Sequence, residues 1–366
     1  MTDRPAEPIT LADYDYELPD DRIAQEPVEP RDSARLLVVP RNGGAVSHRH
    51  FRDLIDLLDA GDLLVVNQTR VTALRLFGER ETGGAVETLL LRPALEWGED
   101  AYEALVRPGR KIRVGDTIRF PQAALTATVV ARADGGGRFL RFHAESGDVA
   151  ELLERFGRTP LPPYIVASLT DPKRYQTVYA RTPGSAAAPT AGLHFTPRLL
   201  DELQARGIGV ARVRLDVGLG TFRPVRVADA REHEMHQESF EVDADAAHAV
   251  NTCRGRVIAV GTTALRALET AAADAPTPLR VQAAIGDTRL FVYPGYRFRA
   301  VDGLITNFHQ PHSTLLLLVA AFVGREQMRA AYGAAMEDGY RFLSFGDAML
   351  AIGQQAAVGE DVTRYA

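Results

Sequence analysis

Apolar residues in the first 67 positions fall into short runs bounded by turn formers. Arg35 to Pro40 (Arg-Leu-Leu-Val-Val-Pro) and Asp62 to Asn67 (Asp-Leu-Leu-Val-Val-Asn) are continuous apolar runs of strand length, the pattern of strands covered on both faces. Between them, Phe51, Leu54, Ile55, Leu57 and Leu58 recur at helical spacing. The aromatic and aliphatic residues of Leu11 to Ile23 predict a short structured arm.

The texture changes near Val71. Val86 to Leu91, Ala101 to Val106, Asp116 to Phe120, Leu125 to Ala131 and Arg138 to Phe142 are β-prone runs separated by Gly, Pro and Asp, which predicts a small antiparallel barrel or sandwich. Gly135-Gly136-Gly137 reads as a hairpin turn because no helix follows it. Helical character returns at Glu151 to Phe156. Beyond Pro160 the chain alternates. Helices are predicted over Pro197–Arg206, Ala244–Cys253, Thr262–Ala273, Ser313–Phe322 and Glu326–Tyr340; strands are predicted over Val210–Val217, Val257–Val260, Leu290–Tyr293 and Leu304–Thr306. The early strands have too few neighbours to stand alone and should rejoin the later ones. The predicted architecture is therefore an α/β domain made of 1–70 and 158–366, with a small antiparallel β-barrel domain, 71–157, inserted at a surface loop.

Composition narrows the function classes. The hydrophobic fraction of 46% and charged fraction of 25% are those of a globular chain with an ordinary core. A net charge of −6 means that nucleic acid would have to meet a local basic patch. Arg107, Arg110, Lys111 and Arg113 in the insert, and Arg212, Arg214, Arg223 and Arg226 around a glycine turn, are the candidates. The single cysteine, Cys253, rules out an internal disulfide and a cysteine zinc site, in keeping with a reducing compartment. The N-terminus has no signal-peptide pattern. The longest apolar run, Leu315 to Val323, is far short of the ~20 residues that span a bilayer. The expectation is a cytoplasmic monomer with no membrane association.

Five polar, glycine-rich turns carry the candidate chemistry. Small residues from Gly184 to Gly192 would let backbone approach a ligand, with Thr190 and His194 at the far end. Gly218, Gly220 and Thr221 follow a strand as a tight turn, although no dinucleotide fingerprint is completed. His233 and His236 are three apart and would share a face if helical, but the zinc pattern His-Glu-x-x-His is absent and no metal is expected. Val257 to Glu269 reads as strand, glycine turn and helix, with Thr262 or Thr263 as N-cap and an anion-binding helix start. Finally, Ser313 or Thr314 would cap an apolar helix and present Asn307 and His309 at its mouth. Together these turns predict one small-molecule crevice at strand ends, with nucleotide- or adenosine-like ligands favoured.

Taken in order, the motifs resemble the S-adenosylmethionine:tRNA ribosyltransferase-isomerases of queuosine biosynthesis nearly end to end. The resemblance rests on Asp15-Tyr-Glu-Leu-Pro, Arg31-Asp-Ser-Ala-Arg-Leu-Leu, Pro160-Leu-Pro-Pro-Tyr-Ile, Tyr175-Gln-Thr-Val-Tyr-Ala, Ala187-Ala-Pro-Thr-Ala-Gly-Leu-His-Phe, Val217-Gly-Leu-Gly-Thr-Phe, His233-Glu-Met-His, Gly261-Thr-Thr-Ala-Leu-Arg, Tyr293-Pro-Gly-Tyr-Arg-Phe, Asp302-Gly-Leu-Ile-Thr-Asn-Phe-His and Phe345-Gly-Asp-Ala-Met. It implies an α/β domain with an inserted barrel. It also implies a reaction in which S-adenosylmethionine, a co-substrate and not a tightly bound cofactor, donates its ribosyl group. That group is rebuilt into an epoxycyclopentane on the aminomethyl-7-deazaguanine of the tRNA anticodon stem-loop, giving epoxyqueuosine-tRNA, adenine and methionine. The sulfonium acidifies the 5′-carbon hydrogens, so a positioned base is needed, together with groups that stabilise developing charge. His194 is the expected base, with His233 or His236 next. Thr262, Thr263 and Arg266 are expected to hold the methionine carboxylate, Asn307, His309, Ser313 and Thr314 to hold the nucleoside, and Thr190, Gly192, Gly218, Gly220 and Thr221 to contribute to substrate binding.

The chain departs from the family pattern at Gln68, where the family has an acid, at Asp216, where it has His, and at Gln310-Pro311-His312, where it has Leu-Pro followed by Lys or Arg. These positions leave two alternatives: the same donor with an acceptor other than tRNA, or a non-catalytic RNA- or nucleotide-binding relative.

Overall fold

A computed structural model describes residues 8–353, apart from 73, 134–135, 168, 170, 219–226 and 228. Among these described residues, nine strands form one mixed sheet, in the spatial order Ala284–Thr288, Glu238–Val242, Gly209–Leu215, Leu63–Asn67, Val257–Val260, Gly303–Asn307, Ala348–Ile352, Arg35–Pro40 and Ser47–His50. Four neighbours from Gly209–Leu215 to Gly303–Asn307 run parallel. Parallel strands need covered faces, which explains why Leu63–Asn67, Val257–Val260 and Gly303–Asn307 are buried at every position. Helices Thr262–Ala273, Thr314–Val323 and Arg325–Glu337 share the larger apolar core on one face; Pro197–Ala205 and the short turn at Phe51–Leu57 close a second core on the other.

Six antiparallel strands, Leu74–Arg80, Ala85–Pro93, Ala101–Arg107, Thr117–Phe120, Leu125–Arg132 and Arg138–Ala144, close into a barrel with its own core, against which helix Val149–Phe156 packs. Inward positions alternate along each strand, as in Leu125, Ala127 and Val129. The chain enters and leaves on one side of the barrel, where Arg75 and Arg158 pair through their backbones.

Two sequence expectations are corrected. Leu290–Tyr293 is not a strand; its side chains pack against the core from an irregular segment, and the neighbouring sheet edge is formed by Ala284–Thr288. Leu74–Arg80, Glu238–Val242 and Ala348–Ile352 are strands that were not anticipated. Among the described residues, no helix is long and apolar enough to cross a membrane; the apolar run at 315–323 lies in the buried helix Thr314–Val323.

Candidate functional site at the strand ends

The parallel strands end side by side at Leu215, Asn67, Val260 and Asn307. Beyond them opens a cleft lined by residues from five chain segments: Ala188 to Ala191, Val217, Gly261 to Thr263, Thr306 to Pro311 with Ser313 and Leu315, and Leu343 with Ser344; Tyr164 completes the wall. Open α/β sheets bind ligands in such a crevice. Two helices start here. Thr262–Ala273 begins after Gly261, whose φ of +89° turns the strand directly into the helix, so Gly261 and neither threonine holds the N-cap position. Thr314–Val323 begins after Ser313, which does cap it: Ser313 Oγ accepts from the Leu316 N–H at 3.2 Å. Thr314 is the first helical residue. Free N–H groups at both helix starts therefore give the cleft two anion-attracting corners. Among the described lining residues there is no Lys, Arg, Asp or Glu.

Asn307 sits at the centre of a buried polar chain. Its Oδ1 accepts from Thr190 Oγ1 at 3.2 Å, and its Nδ2 donates to the Leu343 carbonyl at 3.1 Å and to His194 Nε2 at 3.2 Å. His194 is buried behind the cleft wall and stacked near Phe51. Burial, helped by the nearby Arg341 and Arg31 charges, drives its pKa down to about 3. It is a neutral acceptor held by Asn307, off the cleft surface. His309, in contrast, lines the cleft. Its Nε2 lies 2.8 Å from Thr306 Oγ1, and burial lowers its pKa to about 3 as well.

Several predicted site residues have other work. Gly192 does not line the cleft; it leaves room for Tyr179, whose Oη would stand 1.9 Å from a Cβ at that position. Arg266 lies under the cleft, not in it. Its guanidinium pairs with the buried Glu238 and donates from Nε to the Leu290 carbonyl at 3.0 Å. Glu238 in turn accepts the Gly218 N–H at 2.9 Å, so this pair anchors the start of the glycine turn. Gly220, Thr221, Arg223 and Arg226 lie outside the described residues. Thr263 Oγ1 accepts from Asn67 Nδ2 at 3.2 Å, which fixes the helix start against the neighbouring strand end. His233 and His236 are not on a helix: they follow the single turn Ala230–Glu232 in irregular chain, with His233 against Phe291 and His236 exposed. Neither lines the cleft, and among the described residues no cluster of three or more His, Cys, Asp or Glu could hold a metal.

The departures from the family pattern are also placed. Asp216 accepts from Thr69 Oγ1 at 2.7 Å, and its pKa is raised, chiefly by burial. Gly184 leaves space for that carboxylate, which would be 2.9 Å from a Cβ there. Gln68 holds the Arg181 and Thr182 N–H groups through its carbonyl. His312 adopts a left-handed φ of +57° and its ring meets Asp15 at 3.2 Å. Sequence reasoning missed Glu238, Glu269 and Asp347, buried acids that organise the scaffold. Asp347 accepts the Arg35 and Arg341 N–H groups at 2.8 Å each, and Glu269 collects those of Arg299, Ala300 and Val301. Glu269 and Asp347 stand inside quoted motifs, but a lone acid in a sequence looks like surface, so nothing marked their buried role.

A mixed α/β sheet with a cleft and two helix starts at its strand ends, together with a closed six-stranded antiparallel barrel, is the architecture that the described residues build. The family described as "Queuosine biosynthesis protein" matches residues 11–351, and the chain belongs to it. Among its relatives, the S-adenosylmethionine:tRNA ribosyltransferase-isomerase of Heliobacterium modesticaldum is 56% identical over 94% of this chain and 100% of that protein. The enzyme of the same name from Symbiobacterium thermophilum is 55% identical over 93% and 99%. The crystal structure of S-adenosylmethionine tRNA ribosyltransferase from Thermotoga maritima is 36% identical, covers 93% of this chain and 100% of its own, and superposes with a TM-score of 0.53.

Proposed function

We propose that this chain is an S-adenosylmethionine:tRNA ribosyltransferase-isomerase, moving and rearranging the ribosyl group of S-adenosylmethionine onto an aminomethyl-7-deazaguanine in tRNA, with loss of adenine and methionine. Family membership and identities above 50% over nearly the whole chain support the activity. The observation that carries the site assignment is the meeting of two helix N-termini at a cleft whose described lining residues include no Lys, Arg, Asp or Glu. S-adenosylmethionine, which carries one carboxylate beside an ammonium and a sulfonium, is the donor proposed for it. Its carboxylate goes to a helix start, through backbone N–H groups and the Thr262 and Thr263 hydroxyls. Its sulfonium meets no fixed cation among the described lining residues.

His309 is the imidazole available at the cleft surface, and it takes the proton from the 5′-carbon that the sulfonium acidifies. In the tautomer whose Nε2–H donates to Thr306 Oγ1, 2.8 Å away, Nδ1 carries the lone pair that takes the proton. Thr190, held by Asn307, and Ser313 bind the nucleoside portion. His194 keeps Asn307 in place and does not itself take the proton.

The test is mass spectrometry of nucleosides from tRNA incubated with enzyme and S-adenosylmethionine. The expected product is the aminomethyl-deazaguanosine carrying the added rearranged ribosyl group. Unchanged tRNA alongside a bound donor would refute the reading.

A further inference from the structure

The barrel carries a basic groove that the donor cleft does not use. It is formed by Arg80, at the end of strand Leu74–Arg80, and by Arg110, Lys111 and Arg113 on the loop between strands Ala101–Arg107 and Thr117–Phe120. Glu81 and Asp116 are the acids in it, and Asp116 is engaged with the Arg113 N–H at 2.7 Å. Many of this protein's surface arginines pair with a carboxylate, as Arg119 does with Glu79 and Arg92 with Glu103. Among the described residues, the four groove cations have no ion-pair partner, in a chain whose net charge is −6.

The groove is also built. The buried Arg138, 7% exposed, reaches under the loop and donates to the carbonyls of Gly109 at 2.9 Å and Ile112 at 3.0 Å. Those acceptors are turned inward and Ile112 is buried, so the loop presents its cations outward from a fixed backbone. Across the groove, Arg80 lies over Gly84: a Cβ there would come within 2.8 Å of its Nη2, and its buried Nε has no partner.

Position suggests the occupant. Strand Leu74–Arg80 starts at the junction with the α/β domain and ends in the groove, so its seven residues put the cations about 20 Å from the junction. A small acceptor bound at the cleft cannot touch them. An extended polyanion that delivers one nucleotide to the cleft can.

We infer that this distal face of the barrel docks the phosphate backbone of the tRNA substrate, away from the modified nucleotide. The inference rests on the tRNA-modifying reading above and adds to it a surface that holds the RNA. Phosphate contacts supply much of RNA affinity and make it fall with salt, with a slope of roughly 0.7–0.9 per contact.

The experiment compares the full-length protein with the triple variant Arg110→Ala, Lys111→Ala, Arg113→Ala. It measures the Kd for tRNA across a salt series, the Kd for S-adenosylmethionine and tRNA modification. The variant should bind tRNA roughly tenfold or more weakly at physiological salt, with a log–log salt slope smaller by about 2–3. Donor affinity should be unchanged, and Arg110→Lys with Arg113→Lys should restore most of the binding. A wild-type protein that modifies tRNA beside a triple variant with the same tRNA affinity and slope would overturn the docking surface alone. A wild type that neither binds nor modifies tRNA would overturn the functional reading and the docking surface with it. Weaker tRNA binding with an unchanged slope would also reject phosphate docking.

Discussion

The side-chain amide of Asn307 donates to Nε2 of His194 at 3.2 Å, inside the protein, and this contact assigns different roles to His194 and His309. An imidazole whose acceptor nitrogen is occupied orients its partner. One that lines the cleft is placed to receive a proton. His194→Ala should therefore raise KM for S-adenosylmethionine more than it lowers kcat and should leave the shape of the pH–rate profile unchanged. His309→Gln should lower kcat by about 10²–10⁴, the usual contribution of a general base. Steady-state kinetics on both variants check this. A kcat loss in His194→Ala as deep as that of His309→Gln, with a displaced pH limb, would return the base to His194.

Both histidines also set a pH limit on stability. Their folded-state pKa values are lowered to about 3, against 6.5 when unfolded. Between those values the unfolded chain binds more protons, so stability is full above the unfolded value and is lost as pH falls from 6.5 toward 3. Each group steepens the loss by up to about 1.4 kcal/mol per pH unit. Urea midpoints measured from pH 7 to pH 4 should fall steadily, and His194→Gln should flatten the curve. An unchanged slope in that variant would contradict the neutral, buried state.

The Arg266–Glu238 pair is buried on both sides. Breaking such a pair leaves an uncompensated charge and costs about 3–5 kcal/mol. Glu238→Ala should show that loss in denaturant unfolding and, because Glu238 also holds the Gly218 N–H, should weaken donor binding. Arg266→Met with Glu238→Leu should recover much of the stability without recovering the binding. Had Arg266 been a carboxylate ligand, Glu238→Ala would have freed it and tightened binding.

Gly192→Ala drives a methyl group into Tyr179 Oη. That hydroxyl is buried and has no hydrogen-bond partner, so Tyr179→Phe alone should be close to neutral or slightly stabilising. Combined with Gly192→Ala it should recover part of the lost melting temperature, since the ring carbon would still lie 2.8 Å from the new Cβ. No recovery would mean that the contact with Thr177 Cγ2, 2.9 Å from the new Cβ, sets the cost and not the tyrosine hydroxyl.

How far the residues announced this structure depends on where the driving force is local. The strand Val257–Val260 and helix Thr262–Ala273 are written into the chain because a fully apolar run, a glycine and an amphipathic stretch follow one another. The N-cap was misread since Gly261 takes it through a positive φ, which no side-chain pattern reports. The crevice at the strand ends was legible from its five glycine-rich turns, four of which do contribute residues to the cleft wall, whereas the histidine pair at 233 and 236 does not. Glu238–Val242 was missed because its buried carboxylate is stabilised by a partner 28 positions away, a tertiary fact. Similarly, His194 and His309 look alike in sequence, and only the burial of one behind Asn307 separates them.

Adenine release decides whether this chain moves the ribosyl group of S-adenosylmethionine to tRNA. Purified protein is incubated with S-adenosylmethionine and with tRNA bearing the aminomethyl-deazaguanine, and free adenine is followed over time. Release should require that tRNA and stop when one adenine has appeared per tRNA. No release, or release indifferent to the tRNA, would contradict it.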